Sequence, residues 1–244
     1  MAHIIEITDL TAPELKIYSN LTGGDPHRGG STFLAESEKV IEYALKAGCK
    51  PLSFLMERPD ASPLVTQWPE VPVYTGSRQI IRALTGYTLD RGFLCALERP
   101  ALPAPAERFA HASRVVVLRN ISDPTDLGAV FRSAAALGMD AIVIGEGCCD
   151  PLYRRCVRVS MGTVFQVPWA FADHTDLPPD DFACVTVSED PDGRPLTPES
   201  CTKLCVILDP KARGNTFRIP IARDTEPLNM ASASAVLFWM LRKQ

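Results

Sequence analysis

The sequence is short of several things, and each shortage removes a class of function. Its 244 residues contain four histidines and no cysteine pair at C-x-x-C spacing, although eight cysteines are present. Thiolate and imidazole metal sites need such clustering, so no metal is expected. Cys95 and Cys205 lie inside apolar runs and read as small core residues kept reduced. No apolar run approaches the roughly 20 residues that cross a bilayer. No charged-then-apolar leader opens the chain, so a cytoplasmic location without a membrane partner is expected. Basic charge is not in excess: 25 Lys and Arg stand against 29 Asp and Glu, a formal net charge of −4. That excludes non-specific polyanion binding over the whole surface, while a local basic patch is still permitted. No G-x-G-x-x-G follows any predicted strand. Gly145-Glu146-Gly147 lacks the third glycine and the helix it should open, which argues against a dinucleotide-dependent oxidoreductase.

What is present is the composition of a globular α/β protein, 46% hydrophobic and 22% charged. The length suits one large domain or two ordinary ones. Pro100, Pro103 and Pro105 mark a seam, since prolines so closely spaced favour an extended connector. Residues 1–100 are therefore read as one domain, 101–112 as a Pro-rich linker and 113–244 as a second domain. In the first, Ser37 opens a predicted helix with Val40, Ile41, Ala44 and Leu45 on one face, ending at Gly48. Strands are predicted over 52–56, 71–74 and 93–97, and Ser77 caps a second helix with Ile80, Ile81 and Leu84 inward. The result is a small α/β sandwich. Upstream, the Gly-rich segment 23–30 carries His27 and Arg28, which could meet phosphates.

The second domain offers five predicted strands, over 115–118, 141–144, 164–167, 184–187 and 204–208. Asp150-Pro151 is a strong helix start, and the helix it opens carries Arg154, Arg155 and Arg158 before ending near Gly162. These arginines form either a solvated face or a phosphate-binding ridge. The last helix, 228–241, is apolar nearly all round and is expected to be covered in the core or between subunits. The most informative stretch is Asp123 to Gly138, DPTDLGAVFRSAAALG. It lies between two apolar runs and completes a strand–loop–helix–strand crossover of a parallel sheet. Leu127, Val130, Phe131, Ala134 and Ala135 recur at helical spacing, with Arg132 among them. Ligands of such sheets bind at the carboxyl ends of the strands. Arg132 is thus either a site residue or part of a solvated helix face.

Three ordered stretches resemble the SpoU/TrmH-type RNA 2′-O-methyltransferases of the SPOUT superfamily. They are DPTDLGAVFRSAAALG at 123–138, DPLYRRCVRVSMGTVFQVPW at 150–169 and RIPIARDTEPLNMASASAV at 218–236. LAESEKVIEYALKAG at 34–48 and VPVYTGSRQIIRALTG at 71–86 are similar to the ribosomal-protein-like substrate-binding domain that often precedes them. The resemblance implies a C-terminal trefoil-knotted α/β domain with a parallel sheet, working as a homodimer. It implies S-adenosylmethionine as cofactor and a ribose 2′-hydroxyl of rRNA or tRNA as methyl acceptor. By position, Arg132, Asn229 and Asp126 are expected to be catalytic. Leu208, Asp209, Ile219, Leu228, Asn229 and Met230 are expected to hold the cofactor. RNA contacts are expected from Arg28, Arg154, Arg155 and Arg158.

The sequence departs from the family pattern in three places. Asp126 stands where the family has an asparagine, replacing a group that donates and accepts by one that only accepts. Asp209-Pro210-Lys211-Ala212-Arg213-Gly214 replaces a Gly-x-Glu-Gly-x-Gly loop, and the stretch onward to Ile219 is shorter. Glu226-Pro227 replaces a pair that usually includes serine, and the proline removes a backbone donor. These departures define the alternative reading, a degenerate relative that binds RNA or ribosomal particles without methyl transfer.

Overall fold

The computed structural model describes residues 3–22, 30–59, 62–89, 92–173, 176, 178–196, 201–222 and 225–242. Arg28 and its neighbours at 23–29 lie outside the described residues. The chain forms two compact units, one of residues 1–100 with 152–158, the other of 101–151 with 159–244.

The first unit is built on strands β1 (His3–Glu6), β2 (Thr32–Glu36), β3 (Pro51–Met56), β4 (Pro72–Thr75) and β5 (Phe93–Glu98). Their order across the sheet is β1-β4-β3-β5-β2, with β1, β4 and β3 parallel and β5 and β2 antiparallel to their neighbours. Helices α1 (Glu38–Lys46), α2 (Pro63–Gln67) and α3 (Arg78–Thr85) connect them. Ser77 caps α3 by accepting the Ile80 N–H at 3.4 Å, and Gly86 ends it in the left-handed region at φ 84°. Ser37 precedes α1 as expected but makes no side-chain cap bond, because its φ of 79° aims the hydroxyl elsewhere. Leu34, Leu55, Tyr74, Ile81, Leu84 and Leu94 form the core, with Tyr18 inserted among them. The fully buried Tyr18 hydroxyl is satisfied by the Ser53 carbonyl at 2.9 Å.

Helix α6 (Arg154–Val159) belongs to the first unit but for its last residue; the second unit holds α4 (Pro105–Ala110), β6 (Arg114–Leu118), α5 (Pro124–Ala136), β7 (Ala141–Ile144), β8 (Trp169–Phe171), β9 (Ala183–Val187), β10 (Arg194–Pro195), β11 (Leu204–Leu208), β12 (Phe217–Arg218) and α7 (Met230–Leu241). The sheet order is β10-β12-β9-β11-β6-β7-β8, and every pairing is parallel. Sheets covered on both faces need strands apolar throughout, which is why Val115–Leu118 and Leu204–Val206 read as unbroken apolar runs. Phe109 of α4 packs edge-on to Phe182, centroids 5.7 Å apart, over Val115, Val117 and Val143. Helix α5 packs on α7, and its buried Phe131 meets Trp169 edge-on.

Several expectations are corrected here. Part of the segment read as an extended linker is helical: Pro105 occupies the first turn of α4, and burial of Phe109 holds that helix in place. The helix expected to start at Asp150 begins only at Arg154, because Pro151 and Leu152 are buried in a turn ahead of it. The strand expected at 164–167 is a 3₁₀ turn, Thr163–Phe165, entered through Gly162 at φ 81°. The strand forms instead at Trp169–Phe171, where the Trp169 indole N–H donates back to the Val164 carbonyl at 3.0 Å. Short strands β1, β2, β10 and β12 carried no periodicity long enough to read. All eight cysteines are free thiols, Cys95 and Cys205 fully buried.

Arg114 secures the C-terminal helix. It is 6% exposed and donates to the carbonyls of Leu241, Thr202, Cys201 and Ser113 at 3.0–3.1 Å. A cation at a helix carboxyl terminus also offsets the partial negative charge there. Arg114→Met, which keeps the volume and removes every donor, is expected to destabilise the protein by about 3 kcal/mol. Denaturant unfolding checks this, and a change under about 1 kcal/mol would show that the carbonyls find other partners.

Candidate active site

Register places four strand ends side by side: Val187 opposite Leu208, Leu208 opposite Leu118, and Leu118 opposite Ile144. The loops that leave these ends therefore emerge on one edge of the sheet. The loop after β6 turns sharply at Asn120, φ 57°, whose N–H donates to the Glu146 carbonyl at 2.9 Å. Gly147 sits against it, and a Cβ there would lie 2.6 Å from the Asn120 side-chain oxygen, so only glycine fits. Asn120 Nδ2 donates to Asp209 Oδ1 at 2.9 Å, and the Asp209 N–H donates to the Val187 carbonyl at 3.0 Å. Asp209 thus joins the loops after β6, β9 and β11.

Beside this junction is a cavity of about 510 Å³. The ends of β9 and β11, residues of 218–221 and 225–228 and the first turns of α7 enclose it. Leu208, Ile219, Leu228 and Met230 line it, four of the six residues expected to hold a cofactor. Asp209 and Asn229 do not line it. Asp209 is engaged as described, and Asn229 caps α7 by accepting the Ser232 N–H at 3.0 Å. The lining missed from sequence is the end of β9 and the segment after it, Val187 to Pro191, together with Arg213 and Arg218. The one available signal was that β9 ends at Val187; its adjacency to β11 is not written in the sequence. Asp190, in that segment, is 4% exposed. The hydrogen bond from the Gly214 N–H holds its carboxyl below the ordinary carboxylate value.

The expected catalytic residues are distributed around α5 and α7. Asp123 caps α5 through the Thr125 N–H at 2.6 Å, and Pro124 fills the first turn. Asp126 is half-buried in that turn; burial, then the charge of Asp123, raises its carboxyl above the ordinary value. Arg132 is exposed on α5 beside Ser133, whose hydroxyl accepts from Ser234 of α7 at 3.1 Å. Arg132 does not line the cavity.

Of the three clustered arginines, Arg154 turns inward within the first unit. It donates to Glu36 Oε2 at 3.2 Å, the Tyr87 hydroxyl at 2.9 Å and the Leu21 carbonyl at 3.1 Å, with its guanidinium stacked over the Tyr87 ring. Glu36 is 4% exposed, so this is a buried pair whose loss would strand a carboxylate. That placement takes Arg154 out of a phosphate-facing ridge. Arg155 and Arg158 are exposed. Among the described residues no group of three or more His, Cys, Asp or Glu is placed to hold a metal, and no helix is long and apolar enough to cross a membrane.

The cavity fits a nucleoside-bearing cofactor such as S-adenosylmethionine. Its size is within the range of small-molecule sites, aliphatic side chains form part of its lining, and charged groups of both signs stand at it, Glu189 and Glu226 with Arg213 and Arg218. An adenine can lie on the aliphatic side chains, and the zwitterionic amino-acid end has partners of each sign.

Comparison with known proteins gives a consistent assignment. The SpoU rRNA Methylase family matches residues 113–208. An uncharacterized tRNA/rRNA methyltransferase of Mycobacterium bovis is 30% identical over 260 residues, covering 96% of this chain and 90% of its own length. A 23S rRNA guanosine 2′-O-methyltransferase of Bacillus subtilis is 29% identical over 140 residues, 57% of this chain and 53% of its own length. The crystal structure of an AdoMet-bound rRNA methyltransferase from Sinorhizobium meliloti has the same fold, with a TM-score of 0.75 over 98% of this chain and 97% of that one at 21% identity. A whole-length relationship, a family match over the central strands and a shared fold lead to one conclusion: the chain belongs to the SpoU rRNA methylase family and is a methyltransferase.

Proposed function

We propose that this protein transfers a methyl group from S-adenosylmethionine to a ribose 2′-hydroxyl of rRNA or tRNA. It works as a cytoplasmic homodimer whose C-terminal domain is trefoil-knotted. The observation that carries the reading is the cavity at the carboxyl ends of β9 and β11, where Leu208, Ile219, Leu228 and Met230 meet. The dimer reading is supported by α7: Leu237, Phe238 and Leu241 are buried, whereas Trp239 is 59% and Val236 39% exposed, leaving an apolar face for a second copy.

Bound in the cavity, S-adenosylmethionine supplies a methyl group made electrophilic by a sulfonium. The remaining work falls to side chains. A ribose hydroxyl must lose its proton as it attacks. Arg132 is not cast as the acceptor of that proton, because a guanidinium presents donors only. Exposed on α5, it is suited to hold the adjacent phosphate or to stabilise the developing alkoxide. Asp126 offers an acceptor for the hydroxyl, and its raised affinity for a proton suits that role better than pairing with phosphate. Asn229 fixes the start of α7 and so the Leu228 and Met230 walls on either side of it.

Loss of one 2′-O-methyl group from RNA on gene deletion, restored by the wild-type gene, tests the reading; an unchanged methylation map would favour binding without catalysis. In the purified system, Arg132→Ala is expected to lower methyl incorporation by about 100-fold or more with an unchanged melting temperature. Full activity in the folded variant would remove Arg132 from the mechanism. Arg155→Ala combined with Arg158→Ala is expected to weaken RNA binding and flatten its dependence on log salt by roughly 0.7 for each phosphate no longer neutralised. An unchanged salt slope would return both arginines to the solvated face.

A further inference from the structure

The loop between β11 and β12 has no glycine run to wrap a ligand, yet it is held in a defined shape. Part of that shape is local. Asp209 Oδ1 accepts the Lys211 N–H at 3.0 Å, the Ala212 N–H donates to the Asp209 carbonyl at 3.2 Å, and Arg213 Nη1 donates to the Pro210 carbonyl at 3.2 Å. These bonds close the first half of the loop on itself. The second half is held from outside, by one carboxylate in the loop after β9.

Asp190 Oδ2 accepts the Gly214 N–H at 3.0 Å and the Thr216 hydroxyl at 3.3 Å, while its Oδ1 accepts the Asp192 N–H at 3.2 Å. Its own N–H donates to Ser188 Oγ at 3.2 Å. The two loops approach backbone to backbone beside it. A Cβ on Gly193 would lie 3.0 Å from the Asp190 carbonyl and 3.1 Å from Thr216 Oγ1. Arg218 Nε donates to the Gly193 carbonyl at 3.0 Å, closing the seam. Gly214 takes the left-handed conformation, φ 94°, that turns its N–H toward the carboxylate. Both Asp190 oxygens are acceptors facing donors. An asparagine would turn one of them into a donor facing an N–H, so the pattern needs a carboxylate.

We propose that Asp190 is a positioning residue for the methyl-donor cavity: by holding Gly214 and Thr216 it fixes the loop that brings Pro210 and Arg213 to the cavity against the Ser188–Pro191 segment that also lines it. The proposal rests on the reading of the cavity as the S-adenosylmethionine site. It gives Asp190 an effect on cofactor affinity rather than on the chemical step, because the wall is preorganised before the cofactor arrives.

The test is calorimetric titration of S-adenosylhomocysteine into the full-length wild type, Asp190→Asn, Thr216→Val and the double variant, with melting temperatures and the KM and kcat for S-adenosylmethionine. Asp190→Asn is expected to weaken binding about tenfold and raise KM to match, with kcat within about twofold. Thr216→Val, which removes one hydroxyl donor, is expected to cost about threefold. The double variant is expected to bind no more weakly than Asp190→Asn alone, since both act through one clamp. Wild-type affinity in a folded Asp190→Asn variant overturns the proposal, as do fully multiplicative losses in the double variant. If Asp190→Asn does not fold, an unaltered affinity in Thr216→Val overturns it alone. A wild type that binds no S-adenosylhomocysteine removes the cavity assignment itself, and the proposal with it.

Discussion

The insertion of β11 between β9 and β6 is the constraint on which the rest depends. In a fully parallel sheet every carboxyl end lies on the same edge, and the register here is flush, so Val187, Leu208, Leu118 and Ile144 form one row. Each end must release its chain into a loop, and the unpaired backbone groups there have to find partners. Each carbonyl is met by an N–H of an adjoining loop, Asp209 on Val187, Arg119 on Leu208, Gly145 on Leu118 and Ala172 on Ile144, and the Asp209 side chain also accepts from Asn120. A different strand order would separate the β9 and β11 loops, and the cavity between them would not exist.

The site's walls come from segments far apart in sequence that this order makes neighbours. Leu208 ends one strand, Val187 ends the next, and Ile219, Ile221, Leu228 and Met230 complete the lining. The helix is itself pinned at both ends, by Asn229 at its first turn and by Arg114 at its last carbonyl. Helix α5, against which α7 packs, carries Asp126 and Arg132. Residues expected to act on RNA thus sit on elements tied mechanically to those that form the cavity.

The parts legible in sequence were those fixed by local rules. Apolar runs named β6, β7 and β11, because strands covered on both faces leave no polar positions. Ser77 announced a helix start through capping, and the resemblance at 218–236 pointed to Ile219, Leu228 and Met230, which line the cavity. The misses were non-local. Nothing near Val187 says that its neighbour is Leu208, so the Ser188–Pro191 wall and Asp190 were not found. Arg154 reads as one of three surface cations, and only the fold reveals Glu36 and Tyr87 beside it. The strand at Trp169–Phe171 lost to an apolar run just before it, because Gly162 and the Trp169 indole bond stabilise a turn there that composition does not encode.

The structure of the protein crystallised with S-adenosylhomocysteine tests the central claim most directly. The account predicts the ligand between the Val187–Pro191 segment and the Leu208–Ile219 segment, with Leu228 and Met230 against it and Asp190 still bonded to Gly214. Ligand bound elsewhere on the chain, or a cavity left empty by a protein shown to bind it in solution, would contradict the account.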